Sequence, residues 1–347
     1  GSWRAGFAGR LLPGFEDYCA TPYAFGKYDQ VALPSFAAGA MENAGLVTFR
    51  QVYLLMDPAT VSFRQKKAIA KVIAHEMAHM WFGDLVTMAW WDDIWLNESF
   101  AEWIAHKAVE ALEPDFRIWE DFSQGRAAAL APDALESTHA IYTPVETPAQ
   151  ATELFDLITY QKGSSVMRML EGFLGADAFR AGLRTYMHEL RFANAEGADL
   201  WRHLEAASKH PVSEIMESWI LQGGHPVITA QLQGGALRLA QKRYLSKPHA
   251  HVGDQAWRVP IVMRYRDDEG VHEARHLLRS PQEDVPLHAR GKIQWVTANA
   301  DSLGFYRQDP DDEMLAGLIQ HVGELSAAEQ TGLLDDQWGL ARNASRP

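Results

Sequence analysis

The chain has 347 residues, with 32 Lys+Arg against 45 Asp+Glu and a formal charge of −13. That acidic balance excludes the basic face a nucleic-acid partner or an anionic lipid surface would need. A hydrophobic content of 47% with 12 Trp excludes a disordered chain, and at ~100–200 residues per domain the length suggests two or three domains.

Cys19 is the single cysteine, expected as a small packed residue, and it forbids an intrachain disulfide. No apolar run reaches the ~18 residues of a membrane helix. The N-terminus lacks the order of a signal peptide. These features together point to a cytoplasmic protein.

Residues 1–60 read as irregular segments and short strands, with strand candidates at Gln30–Pro34 and Leu46–Met56. Arg64–Phe82 reads as a helix, with Gly83 placed as a C-cap. A second helix is expected from near Asn97 to Leu112. Its apolar residues Phe100, Trp103, Ile104, Ala108 and Leu112 recur at helical spacing, and Pro114 stops it. Helical patterns continue through 116–130, 159–174, 177–190, 198–208 and 212–221. From Gly223 the period changes to two, with turn pairs between runs, which predicts an antiparallel β-module. After Asp309 the pattern is helical again, at 313–322 and 327–341. Trp81, Trp90, Trp91, Trp95 and Trp103 are expected in the core around the two central helices. His249, His251 and His276 are expected on the surface.

The strongest chemical signal is His75-Glu76-Met77-Ala78-His79. On a helix, residues i and i+4 share a face, so both imidazoles can hold one Zn²⁺. Glu76 lies one step round, placed to act as general base on a zinc-activated water without ligating the metal. A catalytic zinc needs a third protein ligand and an open position. Glu98, in Asn97-Glu98-Ser99-Phe100-Ala101-Glu102-Trp103, supplies it. The eighteen residues between His79 and Glu98 let the chain turn back antiparallel.

The sequences HEMAHMWFGDLVT and WLNESFAEW resemble the zinc aminopeptidases of the aminopeptidase N and puromycin-sensitive type. Gly39-Ala40-Met41-Glu42-Asn43 matches that family's exopeptidase motif letter for letter. Tyr160-Gln161-Lys162-Gly163 and Gly223-Gly224-His225-Pro226-Val227 match two further motifs. The resemblance implies an α+β fold: a thermolysin-like catalytic domain over residues 1–222, a small antiparallel β-sandwich over 223–308, and the start of a helical domain over 309–347. It also implies that only the last residues of the family's N-terminal β-rich domain are present.

The resemblance further implies one Zn²⁺ per chain and peptide substrates with a free N-terminal amine. Glu42 would bind that amine by a charge-assisted hydrogen bond. Gly39, Ala40 and Met41 would line the peptide, with backbone groups of Gly39 and Ala40 meeting it in strand-addition style. Tyr160 would donate to the oxyanion beside zinc. Glu102 and Asn97 would back the ligands, Glu102 by fixing the tautomer of His75. Ala38 and Phe155 are candidate walls of the first-residue pocket. Three alternatives stay open. A thermolysin-like endopeptidase would have no ammonium for Glu42. An epoxide hydrolase of the related leukotriene type would carry a second Gly at Ala40. A catalytically weak or silent portion would act only as a peptide-binding or interaction module.

Overall fold

The computed structural model describes residues 2–57, 59–248 and 253–346, and His249 and His251 lie outside them. Helices and sheets are both abundant, as an α+β fold requires. The chain divides into two compact units. One comprises residues 1–122, 144–155 and 176–210; the other comprises 123–143, 156–175 and 211–347. Among the described residues no helix is long and apolar enough to cross a membrane.

The first unit opens with the helix Ser2–Cys19, where short irregular structure was expected. Gly6, Gly9, Pro13 and Gly14 disguise it, since each is a poor helix former. Tertiary packing overrides them: Phe7, Leu11, Phe15 and Cys19 recur every fourth residue and are fully buried. Burial pushes the Cys19 thiol up to about 12, which suits a packed, unreactive residue.

Three strands follow, β1 (Asp29–Leu33), β2 (Ala40–Met41) and β3 (Leu46–Arg50), in the order β1-β3-β2. β1 runs parallel to β3 and β2 antiparallel to it, so β2 is an edge. The expected strand over Leu46–Met56 breaks at Gln51. There Leu55 N–H bonds back to Gln51 carbonyl, and a helical turn over Gln51–Leu54 buries Leu54.

The helix Phe63–Ala78 is capped by Ser62, whose hydroxyl accepts from Gln65 N–H at 3.2 Å. Its buried face holds Ile69, Ala70, Ile73, Ala74 and Met77. It ends four residues before the predicted boundary, with His79 as the C-cap. The chain folds back there because Asp84 N–H donates to His79 carbonyl at 2.9 Å. Gly83 is therefore no C-cap. At φ +138° a Cβ on it would lie 3.3 Å from Asn97 Nδ2 and 3.4 Å from His79 Nδ1, so glycine permits this close approach.

The helix Trp95–Leu112 is buried continuously from Trp95 to His106. Phe100 stacks on Phe82 at 4.8 Å, and Trp103 meets Phe179 edge-on at 5.1 Å. Trp81, Trp95 and Trp103 are core residues as expected. Trp90 and Trp91 are not: they are 57% and 40% exposed on the turn after β4 (Val86–Met88). Trp90 is held there by its indole N–H, which donates to Val145 carbonyl at 2.8 Å. β4 pairs in parallel with β5 (Ala193–Ala195). The helices Ala176–Leu190 and Gly197–Ser208 pack closely at Gly182.

In the second unit a π-helical turn, Ile158–Lys162, leads into the helix Gly163–Leu174. The β-module follows as β6 (Pro226–Gln233), β7 (Ala236–Arg243), β8 (Val259–Arg266), β9 (Val271–Leu278), β10 (Gln282–Pro286), β11 (Trp295–Thr297) and β12 (Arg307–Pro310). They form a four-stranded sheet, β10-β7-β6-β12, and a three-stranded sheet, β11-β8-β9. All pairings are antiparallel except β12 on β6. His276 lies half-buried on β9, where its Nε2 meets Glu283 Oε2 at 2.6 Å. The helices Asp312–Gln320 and Ala327–Arg342 close the chain. Trp295 packs with Leu318, Leu325 and Leu333.

Candidate metal centre

A helix buried all round, such as Trp95–His106, should be apolar. This one carries Asn97, Glu98, Ser99, Glu102 and His106, all buried. Buried polar side chains cost free energy unless partnered, so their convergence marks a site.

Glu98 lies in the first turn of its helix, where the macrodipole favours a carboxylate. Its Oε2 is 3.2 Å from His75 Nε2 and 3.4 Å from His79 Nε2. The two Nε2 atoms are 3.1 Å apart. Among the described residues His75, His79 and Glu98 form the one group whose donor atoms all lie within 4.8 Å of each other and could hold a metal ion.

The other ring nitrogens orient the pair. His79 Nδ1 lies 3.0 Å from Phe82 carbonyl, so it carries the hydrogen and leaves Nε2 a lone pair. His75 Nδ1 is 3.4 Å from Glu102 Oε2. Lys71 Nζ donates to the other Glu102 oxygen at 2.7 Å. Two imidazole nitrogens, each oriented by a backing group, and one carboxylate are a donor set that fits zinc.

Charge follows the geometry. Burial opposes protonation of His75, but Glu102 and Glu98 outweigh it and raise it to about 9. Burial likewise opposes protonation of His79, and Glu42 and Glu98 carry it well above the usual range. Burial works against ionisation of Glu98, yet His79 and His75 hold it below the usual carboxylate range. Glu76 differs: burial dominates, and pushes it up to about 7 against the pull of His75 and His79.

Glu42 reaches the centre from the sheet. Its Oε1 is 3.8 Å from His79 Nδ1. Ala40 and Met41 form the edge strand β2, with Gly39 just before it and Glu42 just after it. Arg50 fixes that segment. Its N–H donates to Gly39 carbonyl at 2.9 Å, and its Nε donates to the carbonyls of Phe36 and Ala38 at 3.0 and 3.1 Å. Ala38 and Phe155 are exposed. Asn97 is buried beside Gly83. Tyr160 belongs to the second unit, half-buried in the π-turn.

Sequence reasoning missed Lys71 and the Phe82 carbonyl. Lys71 was findable: 71, 75 and 79 are spaced by four, so all three lie on one helix face. The carbonyl was not, because it depends on the turn after Ala78.

The model of the peptidase family M1 domain matches residues 3–219. Aminopeptidase M1 of Arabidopsis thaliana is 39% identical over 344 residues, covering 95% of this chain and 39% of that protein. Probable aminopeptidase 2 of Sulfurisphaera tokodaii is 37% identical over 98% of this chain and 42% of its own length. Puromycin-sensitive aminopeptidase of Caenorhabditis elegans is 37% identical over 94% of this chain and 35% of its own length. The chain thus spans about two fifths of the length of these relatives.

Proposed function

The chain belongs to peptidase family M1, and on that premise we propose that it is a zinc-dependent aminopeptidase hydrolysing the first peptide bond of peptides with a free N-terminal amine. The observation that carries the reading is Glu42, an acidic residue directly after the edge strand β2, with its carboxylate 3.8 Å from Nδ1 of His79, a member of the His75–His79–Glu98 group. An ammonium seated on Glu42 brings the first peptide bond next to the metal donors. An internal bond offers no such charge.

His75, His79 and Glu98 would hold the zinc. When bound, zinc lowers the pKa of a water to ~7 and polarises the scissile carbonyl. Glu76, buried next to His75 in sequence, takes the proton of the attacking water and passes it to the leaving amine. Tyr160 donates its phenolic hydrogen to the carbonyl oxygen as negative charge develops there. Glu102 accepts from Nδ1 of His75 and keeps Nε2 free for ligation. Gly39 and Ala40 present backbone groups along the β2 edge, where an extended peptide can add as a strand. Ala38 and Phe155 wall the first-residue pocket, and the two sheets of residues 226–310 are read as a β-sandwich.

The test is the ratio of kcat/KM for a free and an N-acetylated peptide, in the wild type and in Glu42→Ala. A large ratio that shrinks in the variant is expected. The same ratio in both proteins would remove Glu42 from amine recognition.

A further inference from the structure

Asp133 ends the helix Ile118–Asp133 and is completely buried, yet neither its own segment nor any sequence motif suggests a function. Its carboxylate is a hub. Oδ1 accepts from Lys162 Nζ at 2.8 Å, from Gly224 N–H at 3.0 Å and from Thr138 hydroxyl at 3.1 Å. Oδ2 lies 3.1 Å from His225 Nδ1. Two motifs noted in the sequence, Tyr160–Gly163 and Gly223–Val227, are thereby tied to one buried charge.

Lys162 is the more telling partner. It is fully buried, and a buried ammonium is costly unless paired. Besides Asp133, its Nζ donates to Gly224 carbonyl at 3.1 Å and sits 5.8 Å from the centre of the Phe305 ring. Lys162 is also the last residue of the π-turn that carries Tyr160. Single π-turns are strained departures from the α-helix and recur at functional sites, so this one needs holding at both ends. Asp156 holds the start: its Oδ1 accepts from Ile158 and Thr159 N–H at 2.9 and 3.1 Å, and its Oδ2 meets His139 Nε2 at 2.8 Å. The Asp133–Lys162 pair holds the finish. Both anchors, Asp133 and His139, come from one stretch of chain, and the glycine pair lets it close. A Cβ at Gly223 would lie 3.0 Å from His139 carbonyl; Gly224 has φ +89° and a Cβ there would lie 2.8 Å from Arg243 Nε.

We propose that Asp133 is a positioning residue that, through Lys162, fixes the π-turn and with it the phenol of Tyr160. The inference rests on the role given to Tyr160 above.

The experiment is a double-mutant cycle on the full chain with Asp133→Asn and Tyr160→Phe. Asp133→Asn should lower kcat at least tenfold with KM within twofold, and should cost less than twofold once Tyr160 is Phe. An equal cost in both backgrounds would overturn the proposal. If Asp133→Asn does not fold, the cycle is run with Asp133→Asn/Lys162→Met, which removes both charges and keeps an acceptor for Gly224. Amide exchange supplies a readout independent of activity: amides of residues 158–163 should exchange at least tenfold faster, with those of β8 and β9 unchanged. Unchanged exchange at 158–163 would also overturn the clamp. If Tyr160→Phe alone leaves kcat within threefold, the role of Tyr160 fails, and exchange then decides the clamp by itself.

Discussion

Replacing Glu102 by Gln should weaken metal binding. Glu102 touches two cations of different standing. Its Oε2 is 3.4 Å from Nδ1 of the buried His75, and its Oε1 is 2.7 Å from Lys71, whose side chain is 31% exposed. Gln keeps the shape and one acceptor oxygen but removes the charge. Lys71 can turn to water, so losing that pair alone costs about 1 kcal/mol or less, while His75, which Glu102 helps raise to about 9, also loses its counter-charge in the metal-free protein. His75 has no such escape. It loses the anion that favours hydrogen on Nδ1 and a lone pair on Nε2, and loss of a group backing a metal ligand typically costs ~10–100-fold in affinity. That range is roughly 1.4–2.8 kcal/mol. The assay is zinc competition against a chelator of known affinity, with urea unfolding of the metal-free proteins alongside. A zinc affinity within twofold of wild type would refute the reasoning.

Three other outcomes are expected. Glu76→Gln should retain one zinc per chain, read by metal analysis, and lose at least ~10²-fold in kcat, the scale of a missing general base; loss of metal with activity would make Glu76 a ligand instead. Gly182→Ala should lower the urea midpoint. Its Cβ would lie 2.9 Å from Leu204 Cα and 3.1 Å from His203 carbonyl, and overpacking of ~1–3 kcal/mol outweighs the ~1 kcal/mol gained in helix propensity. Acid should destabilise the fold through two buried imidazoles. Burial pushes His106 and His225 down to about 4. Between pH 6.5 and 4 the unfolded chain therefore binds protons that the folded chain refuses, so stability falls as pH falls. Going from pH 7 to 5 should cost roughly 2 kcal/mol for each. His106→Gln should show a smaller drop, and an equal drop would remove His106 from the effect.

The grouping of His75, His79 and Glu98 was legible because its logic is local. His75, Glu76 and His79 need only a helical turn, and Glu98 only a second helix returning at a plausible distance. The helix Ser2–Cys19 was not read, although Phe7, Leu11, Phe15 and Cys19 spell its buried stripe; three glycines and a proline weigh against it in propensity, and packing wins. The break at Gln51 was invisible for a similar reason, since the run Leu46–Met56 is rich in apolar and β-favouring residues and the turn shows only in a backbone hydrogen bond from Leu55 to Gln51. Trp90 and Trp91 were assigned to the core by composition, but the turn after β4 turns them outward. Asp133 could not be found at all. It gains significance only from what the fold brings to it: Lys162, Gly224 and His225, from two distant stretches of chain.

The most direct test of the zinc aminopeptidase reading is product identity. The metal-stripped chain is incubated with a defined hexapeptide, with and without one equivalent of zinc, and the products are read by mass spectrometry. The expected result is a pentapeptide lacking the first residue, formed only with zinc and absent when Glu76 is Gln. Cleavage at an internal bond, or the same products without metal, would contradict it.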